Sequence, residues 1–182
     1  MTNLRSRYVS QAAGKVLEIG IGSGLNLSHY GCAVESITGV DPAEALTQKA
    51  RQRADRIRAD VAVIGVSGES IPVRSETFDT VVCTWTLCSI PDPQAAIAEM
   101  YRALKPDGKL IFVEHGQSPE PKISKWQQRI EPYWKVVAGG CHLTRRIDDL
   151  VTAGGFEIKS FESGYQKGPK IAAFMMHGIA TR

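Results

Sequence analysis

A chain of 182 residues with 43% apolar and 23% charged side chains is long enough for one globular domain with a sizeable core and too apolar for a disordered one. Its formal charge of +3 gives no electrostatic footprint for nucleic acid, and no run approaches the roughly 20 apolar residues of a bilayer span.

The N-terminus, MTNLRSRYVSQAAGK, has no apolar signal core, which predicts a cytoplasmic protein. The four cysteines, Cys32, Cys83, Cys88 and Cys141, form no CxxC pair and are too sparse for a disulfide framework, as suits a reducing compartment. Their spacing predicts no metal site; scattered cysteines usually serve as small core residues.

Short runs rich in Val and Ile alternate with helical patterns along the chain. KVLEIG (15–20), SITGVD (36–41), VAVIGV (61–66), TVVCTW (80–85) and KLIFVEH (109–115) read as strands buried on both faces of a parallel sheet. The segment after the first strand is a plausible helix start. Further helices are expected over about Ala43 to Arg58 and Pro93 to Leu104, the latter with Asp92 as cap and a turn at Pro106-Asp107-Gly108. Residues 120–138 read as an irregular helix carrying Trp126, Tyr133 and Trp134. A helix near Arg146–Ala153 stops at Gly154-Gly155. Two strands, Phe156–Ser160 and Ile171–Gly178, follow with no helix between them and pair as an antiparallel hairpin across GYQKGP. The expected fold is α/β: a single Rossmann-like, doubly wound sheet, closed by a C-terminal antiparallel hairpin.

The first strand runs into Glu18-Ile19-Gly20-Ile21-Gly22-Ser23-Gly24, where bare peptides let the chain turn tightly and let a ligand approach the backbone. The spacing is GxGxG, and not the GxGxxG of a dinucleotide fold. The second strand ends at Asp41, about 20 residues on, where a carboxylate can accept ribose hydroxyls. Asp41-Pro42 can equally cap the next helix. The third strand ends at Ser67-Gly68-Glu69 and the fourth at Cys83-Thr84, so four loops converge on one crevice at the carboxyl ends of the strands.

VLEIGIGSGLN (16–26), GVDPA (39–43), GESIP…FDTVVCTWTLCSI (68–90) and LKPDGKLIFVEHG (104–116) resemble the successive motifs of class I S-adenosylmethionine-dependent methyltransferases. The resemblance implies S-adenosylmethionine as cofactor, with S-adenosylhomocysteine as product. It places the glycine loop (Glu18, Gly20, Gly22, Gly24 and Asn26) along the methionine part and Asp41 with Pro42 at the ribose. Ser67, Gly68 and Glu69 flank the adenine, and Cys83 and Thr84 lie at the sulfonium. The family often has an aspartate where Ser67 stands, and a serine still accepts a bond from the adenine amino group. Within the class, VVCTWTLCSI (81–90), FVEHG (112–116), WQQ…PYW (126–134) and GGCHLTR (139–145) are most similar to small thiol methyltransferase-like proteins. Quinone-ring and phospholipid methyltransferases share the first motifs and match the last two poorly. Animal relatives carry a hydrophobic N-terminal anchor. This sequence begins about fifteen residues before its first strand, so neither an anchor nor much of an N-terminal lid helix is expected.

Methyl transfer is an in-line displacement that needs alignment and exclusion of water. A thiol with a pKa near 8.5 is already partly thiolate at pH 7, whereas a phenol or an amine needs a positioned base. The base candidates are His115, which can equally be a strand-end histidine bonded to backbone, and His142, which can equally cap a helix near Thr144. Cys88, Trp126 and Trp134 are candidates for an acceptor pocket within an acceptor-side segment of about 115–145, although an aromatic stripe is as often core. The basic run Lys49, Arg51, Arg53, Arg56, Arg58 reads as a solvated helix face. Cys83 and Cys88 lack the matched upstream pair that metalloid capture requires.

The sequence thus predicts a methyltransferase acting on a small-molecule acceptor, a thiol first, and alternatively a phenol, quinone or phospholipid by O-, N- or C-methylation. A nicotinamide-dependent oxidoreductase is a competing class, opposed by the glycine spacing and the hairpin. A cofactor-binding module without turnover is another.

Overall fold

A computed structural model describes residues 2–182. The chain order is α1 (Thr2–Val9), β1 (Gly14–Ile19), a 3-10 turn (Leu27–His29), β2 (Val34–Val40), α2 (Glu44–Ala54), β3 (Asp60–Ile64), β4 (Phe78–Thr84) and α3 (Pro93–Ala103). It continues with β5 (Leu104–His115), α4 (Pro121–Val137), α5 (Ile147–Ala153), β6 (Glu157–Tyr165), α6 (Lys170–Ala173) and β7 (Phe174–Thr181).

The strands form one seven-stranded sheet in the order β3-β2-β1-β4-β5-β7-β6. The pairs from β3 through β5 are parallel, and β7 runs antiparallel between β5 and β6. The strand order reverses between β1 and β4, which opens a crevice at their carboxyl ends. Central strands are apolar on both faces because both faces are covered. Leu17, Ile19, Val81, Cys83, Leu110 and Phe112 pack with Ile97, Met100, Ile147 and Val151 of α3 and α5. On the opposite face Val16, Val82, Ile111 and Val113 pack with Leu4, Tyr8 and Val9 of α1 and Ala50 of α2.

The expected strands and the hairpin are present, with five differences. The turn expected at Pro106-Asp107-Gly108 is absorbed into β5, which begins at Leu104 directly after α3, with a register irregularity where it pairs with β4. No α-helix follows the glycine loop: residues 20–33 contain only turns and the 3-10 segment, and α1 covers part of the sheet face beside it. The N-terminal segment, expected to supply little of a helix, forms α1. The β6–β7 connection contains the one-turn α6, so the last strand starts at Phe174 and reaches Thr181. Finally, α2 stops at Ala54, short of the expected Arg58, because Asp55, Arg56 and Ile57 bond back to Arg51, Arg53 and Ala54 as tightening turns.

Asp92 fixes the start of α3 as the sequence suggests, with Oδ1 accepting from Gln94 N at 3.1 Å and Ala95 N at 3.0 Å, and with Pro93 in the first turn. Asp92→Ala should lower stability by about 1 kcal/mol. Urea unfolding should show a lower midpoint at an unchanged m-value.

Candidate functional site

At the carboxyl ends of β1, β2 and β4 lies a cleft of about 400 Å³, within the range of small-molecule sites. Its lining joins the glycine loop (Gly20, Gly22), the end of β2 (Val40, Asp41, Pro42), Ser67 with Gly68, and the stretch after β4 (Thr84, Trp85, Thr86, Ser89, Ile90, Pro91). Arg5 of α1, Leu46 of α2 and Gly139 complete it.

Gly22 has φ +52, a conformation costly for any other residue, and only Asp41 Oδ2 (3.9 Å) and Gly20 O (4.0 Å) lie near the position of an added Cβ. The peptide therefore borders open space that a side chain would occupy. Gly20 is glycine for packing, since its Cβ would lie 2.1 Å from Thr86 Oγ1. Asp41 accepts from Gly22 N at 3.0 Å through one oxygen and from Ala43 N at 2.9 Å through the other. It joins two loops and leaves lone pairs toward the cleft. It is not the helix cap: α2 begins three residues later, with Ala43 at the N-cap.

Beneath the loop, Glu18 and Asn26 are buried. Asn26 Nδ2 donates to Glu18 Oε1 and to Thr84 Oγ1, both at 2.9 Å, and Tyr30 donates to Glu18 Oε2 at 2.8 Å. Arg5 donates to Asn26 Oδ1 at 2.5 Å and stacks 4.2 Å over the Trp85 ring. Burial pushes the Glu18 carboxyl up to about 7, against the hydrogen bonds from Tyr30 and Asn26.

Trp85 has a left-handed backbone, φ +52, and its indole Nε1 is buried without a hydrogen-bond partner. A bulky residue in this conformation persists only where its surroundings over-determine it. The surroundings are visible. Glu114, fully buried, accepts from Thr86 N through both oxygens (2.9 and 3.0 Å), Leu87 N (3.0 Å) and Cys88 N (3.1 Å). From the other side Arg145 donates to the carbonyls of Leu87 and of Ile90, the latter at 2.7 Å. Burial raises the Glu114 carboxyl above its ordinary range, and the backbone donors hold it down.

Of the residues expected from sequence, Gly20, Gly22, Asp41, Pro42, Ser67, Gly68 and Thr84 line the cleft. Glu18, Gly24, Asn26, Glu69 and Cys83 are not in its wall. Gly24 packs on Leu27 and Ala50, and Glu69 braces Ser67 Oγ (2.8 Å) and Asp92 N (2.6 Å). Cys83 is buried against Glu114 at 3.5 Å. Neither base candidate lines the cleft. His115 borders a second cavity of about 480 Å³ with Asn3, Gln166 and Met175, and its Nδ1 lies 3.7 Å from Cys141 Sγ. His142 Nδ1 is held 2.9 Å from Glu131 Oε1 and caps no helix, since α5 starts at Ile147. Trp126 and Tyr133 are exposed on the outer face of α4, whereas Trp134 packs inward on the cluster of Cys88, Cys141 and Leu143. Sequence reasoning missed Arg5, Leu46, Trp85, Thr86, Ser89, Ile90, Pro91 and Gly139. For six of them the signal is present: Trp85, Thr86, Ser89 and Ile90 lie within the VVCTWTLCSI motif, Pro91 follows it directly, and Gly139 opens the GGCHLTR motif.

Residues 17–112 match the family model described as a methyltransferase domain. The chain is 34% identical over 154 residues to the thiol S-methyltransferase TMT1B of Homo sapiens, covering 81% of this chain and 63% of that protein. It is 29% identical over 129 residues to a phosphatidylethanolamine N-methyltransferase of Cereibacter sphaeroides, covering 68% and 63%. The chain thus spans less than two thirds of the length of these relatives. Among solved structures, an S-adenosylmethionine-dependent methyltransferase from Methanosarcina mazei superposes with a TM-score of 0.72 at 23% identity, over 97% of this chain and 95% of that one.

Glu18 makes a pH prediction. Unfolded, it releases its proton near 4.5; folded, it holds the proton to about 7. Between these values the native state binds more protons, so Glu18's contribution to stability is complete below about 4.5 and is lost as pH rises to about 7. Glu18→Gln should remove up to about 3 kcal/mol of this fall, leaving a flatter profile of unfolding free energy against pH. An unchanged slope across that window would show that Glu18 ionises normally.

Proposed function

Because the chain belongs to the methyltransferase-domain family, we propose that it uses S-adenosylmethionine to methylate the sulfur of a small thiol. The cofactor fits the residues present. The cleft offers a carboxylate acceptor at Asp41, a bare peptide at Gly22 beside open space, and the unpaired indole N–H of Trp85. Asp41 would hold the ribose and Ser67 with Gly68 the adenine, while Gly20, Gly22, Thr84 and Trp85 would hold the remainder. When bound, S-adenosylmethionine would supply a methyl carbon activated by a sulfonium; an acceptor sulfur would take that methyl as the sulfonium becomes a thioether, with the thiol proton released to solvent.

One observation carries the choice of a thiol. Among the described residues, no histidine lines the cleft: His115 borders a neighbouring cavity with its Nδ1 3.7 Å from Cys141 Sγ, and His142 is held by Glu131. A phenol or an amine needs a base at the reacting atom, whereas a thiol is supplied partly ionised by the solution. The similarity to the thiol S-methyltransferase supports the same reading. The chain's own task is then positional. Glu114 and Arg145 hold the Trp85–Pro91 wall rigid, Asp41 ties the glycine loop to β2, and the Arg5–Trp85 stack closes one side against water. The similarity to the phosphatidylethanolamine N-methyltransferase keeps an amine acceptor as the second reading.

Asp41→Ala should lower S-adenosylmethionine affinity at least tenfold in a calorimetric titration while the melt stays cooperative, since charged hydrogen bonds are worth about 1.5–3 kcal/mol each. Unchanged affinity would remove Asp41 from the ribose.

The acceptor class is read from pH. With a thiol acceptor, kcat/KM should rise with the thiolate fraction, level off near the acceptor's own pKa, and shift downward with a more acidic thiol. Phenols or phosphatidylethanolamine outperforming thiols, with an inflection independent of the acceptor, would overturn the thiol reading.

A further inference from the structure

Three side chains far apart in sequence meet next to the cleft. Cys88 comes from the loop after β4, His115 from the end of β5, and Cys141 from the turn after α4. Their ligand atoms all lie within 4.8 Å of one another. Cys88 and Cys141 are buried and His115 half-buried. The neighbouring Ser89 and the nearby Gly139 belong to the cleft wall.

The geometry points to a zinc site in which Cys88 and Cys141 supply thiolates, His115 supplies an imidazole nitrogen, and the fourth position is open to an exogenous thiol. A tetrahedral zinc ion has bonds of about 2.3 Å to sulfur and about 2.0–2.1 Å to nitrogen, which sets adjacent ligand atoms roughly 3.5–3.8 Å apart. The His115 Nδ1 to Cys141 Sγ separation is already 3.7 Å. Closing the other separations requires side-chain rotation on a backbone that is held. Cys88 N donates to Glu114 at 3.1 Å, and Cys88 O accepts from His142 N at 2.7 Å. Gly140 lies flush on Ser89, where an added Cβ would meet the Ser89 carbonyl at 3.1 Å.

The donor set selects the ion. Two sulfurs and one imidazole suit zinc over magnesium or calcium, and three protein ligands are the pattern of zinc sites that keep an exchangeable position. One buried donor faces the sulfurs. Trp134 Nε1 is buried without a partner in hydrogen-bond geometry and lies against Cys141. Loading releases the two thiol protons to solvent, and a thiol taking the fourth position releases one more; no oxidation state changes. The metal site stands without the thiol reading, whereas its fourth ligand rests on it.

The full chain, reduced and carrying Cys32→Ser to remove its exposed cysteine, should retain one zinc per chain after dialysis against a weak chelator. Cobalt in place of zinc should show thiolate charge-transfer absorption and the visible bands of a tetrahedral site. Cys141→Ser and His115→Gln should each lower retained metal at least tenfold while still melting cooperatively. Cys88→Ser provides a third variant should either fail to fold. Adding a small alkyl thiol should shift the visible bands. Retention well below one per chain, equal retention in the variants, or a Cys88–Cys141 disulfide forming in place of metal binding would overturn the site. Metal binding with bands unmoved by thiol would overturn the fourth ligand. Thiol methylation by metal-free protein would remove the metal from the reaction and leave the thiol reading standing.

Discussion

The cleft depends on one buried carboxylate. Glu114 sits at the end of a central strand with no access to water, where an unpaired charge would be prohibitive. Its compensation comes from the main chain, since the N–H groups of Thr86, Leu87 and Cys88 all point at it. Such a claw requires successive peptides to face one direction. The chain must therefore turn immediately before them, and it does so at Trp85 with a backbone that tryptophan rarely adopts. The carbonyls left facing the other way at Leu87 and Ile90 are taken by the Arg145 guanidinium. One acid and one base thus grip the two sides of the same loop. They fix the wall from Trp85 to Pro91 and hold Cys88 in place behind it.

A second polar network ties the N-terminal helix to the same region. Glu18, Asn26, Thr84, Tyr30 and Arg5 join α1, the glycine loop, the 3-10 turn and β4 through side chains alone. Burial leaves the Glu18 carboxyl close to half-ionised at neutral pH. The charge under the glycine loop is consequently adjustable, and a cation arriving above it would favour the ionised form.

Much of this was legible in the residues. The Val- and Ile-rich runs mark the five parallel strands because both faces of each are covered, and the two strands after Gly155 mark the hairpin because too few residues separate them for a crossover helix. The glycine spacing and Asp41 mark the cleft floor, since backbone freedom and a strand-end carboxylate are local properties. In place of the helix expected after the glycine loop, residues 20–33 return the chain to the start of β2 through turns and the 3-10 segment, a connection of fourteen residues that is short for a full crossover helix. The role of Glu114 is not legible in the sequence because its partners are main-chain groups 26 to 28 residues away. The role of Arg5 is not legible either, because nothing in an isolated helix announces which cleft it borders. The aromatic stripe of α4 misled because that helix has apolar residues on two faces. Trp134 turns inward onto Cys141, and Trp126 and Tyr133 turn out.

The reversed last strand has a consequence for the ends of the chain. β7 begins beside His115, at the cleft end of the sheet, and returns to pair Thr181 with Lys109. Arg182 then reaches the Leu104 carbonyl and Glu76 at the opposite edge. Helix α1 and Arg182 therefore lie toward opposite poles of the domain, one contributing Arg5 to the cleft wall and the other fastened to the strand bottoms. A dye or an affinity handle appended after Arg182 would leave ligand access untouched, whereas one placed ahead of α1 would sit beside the cleft and sense its occupancy.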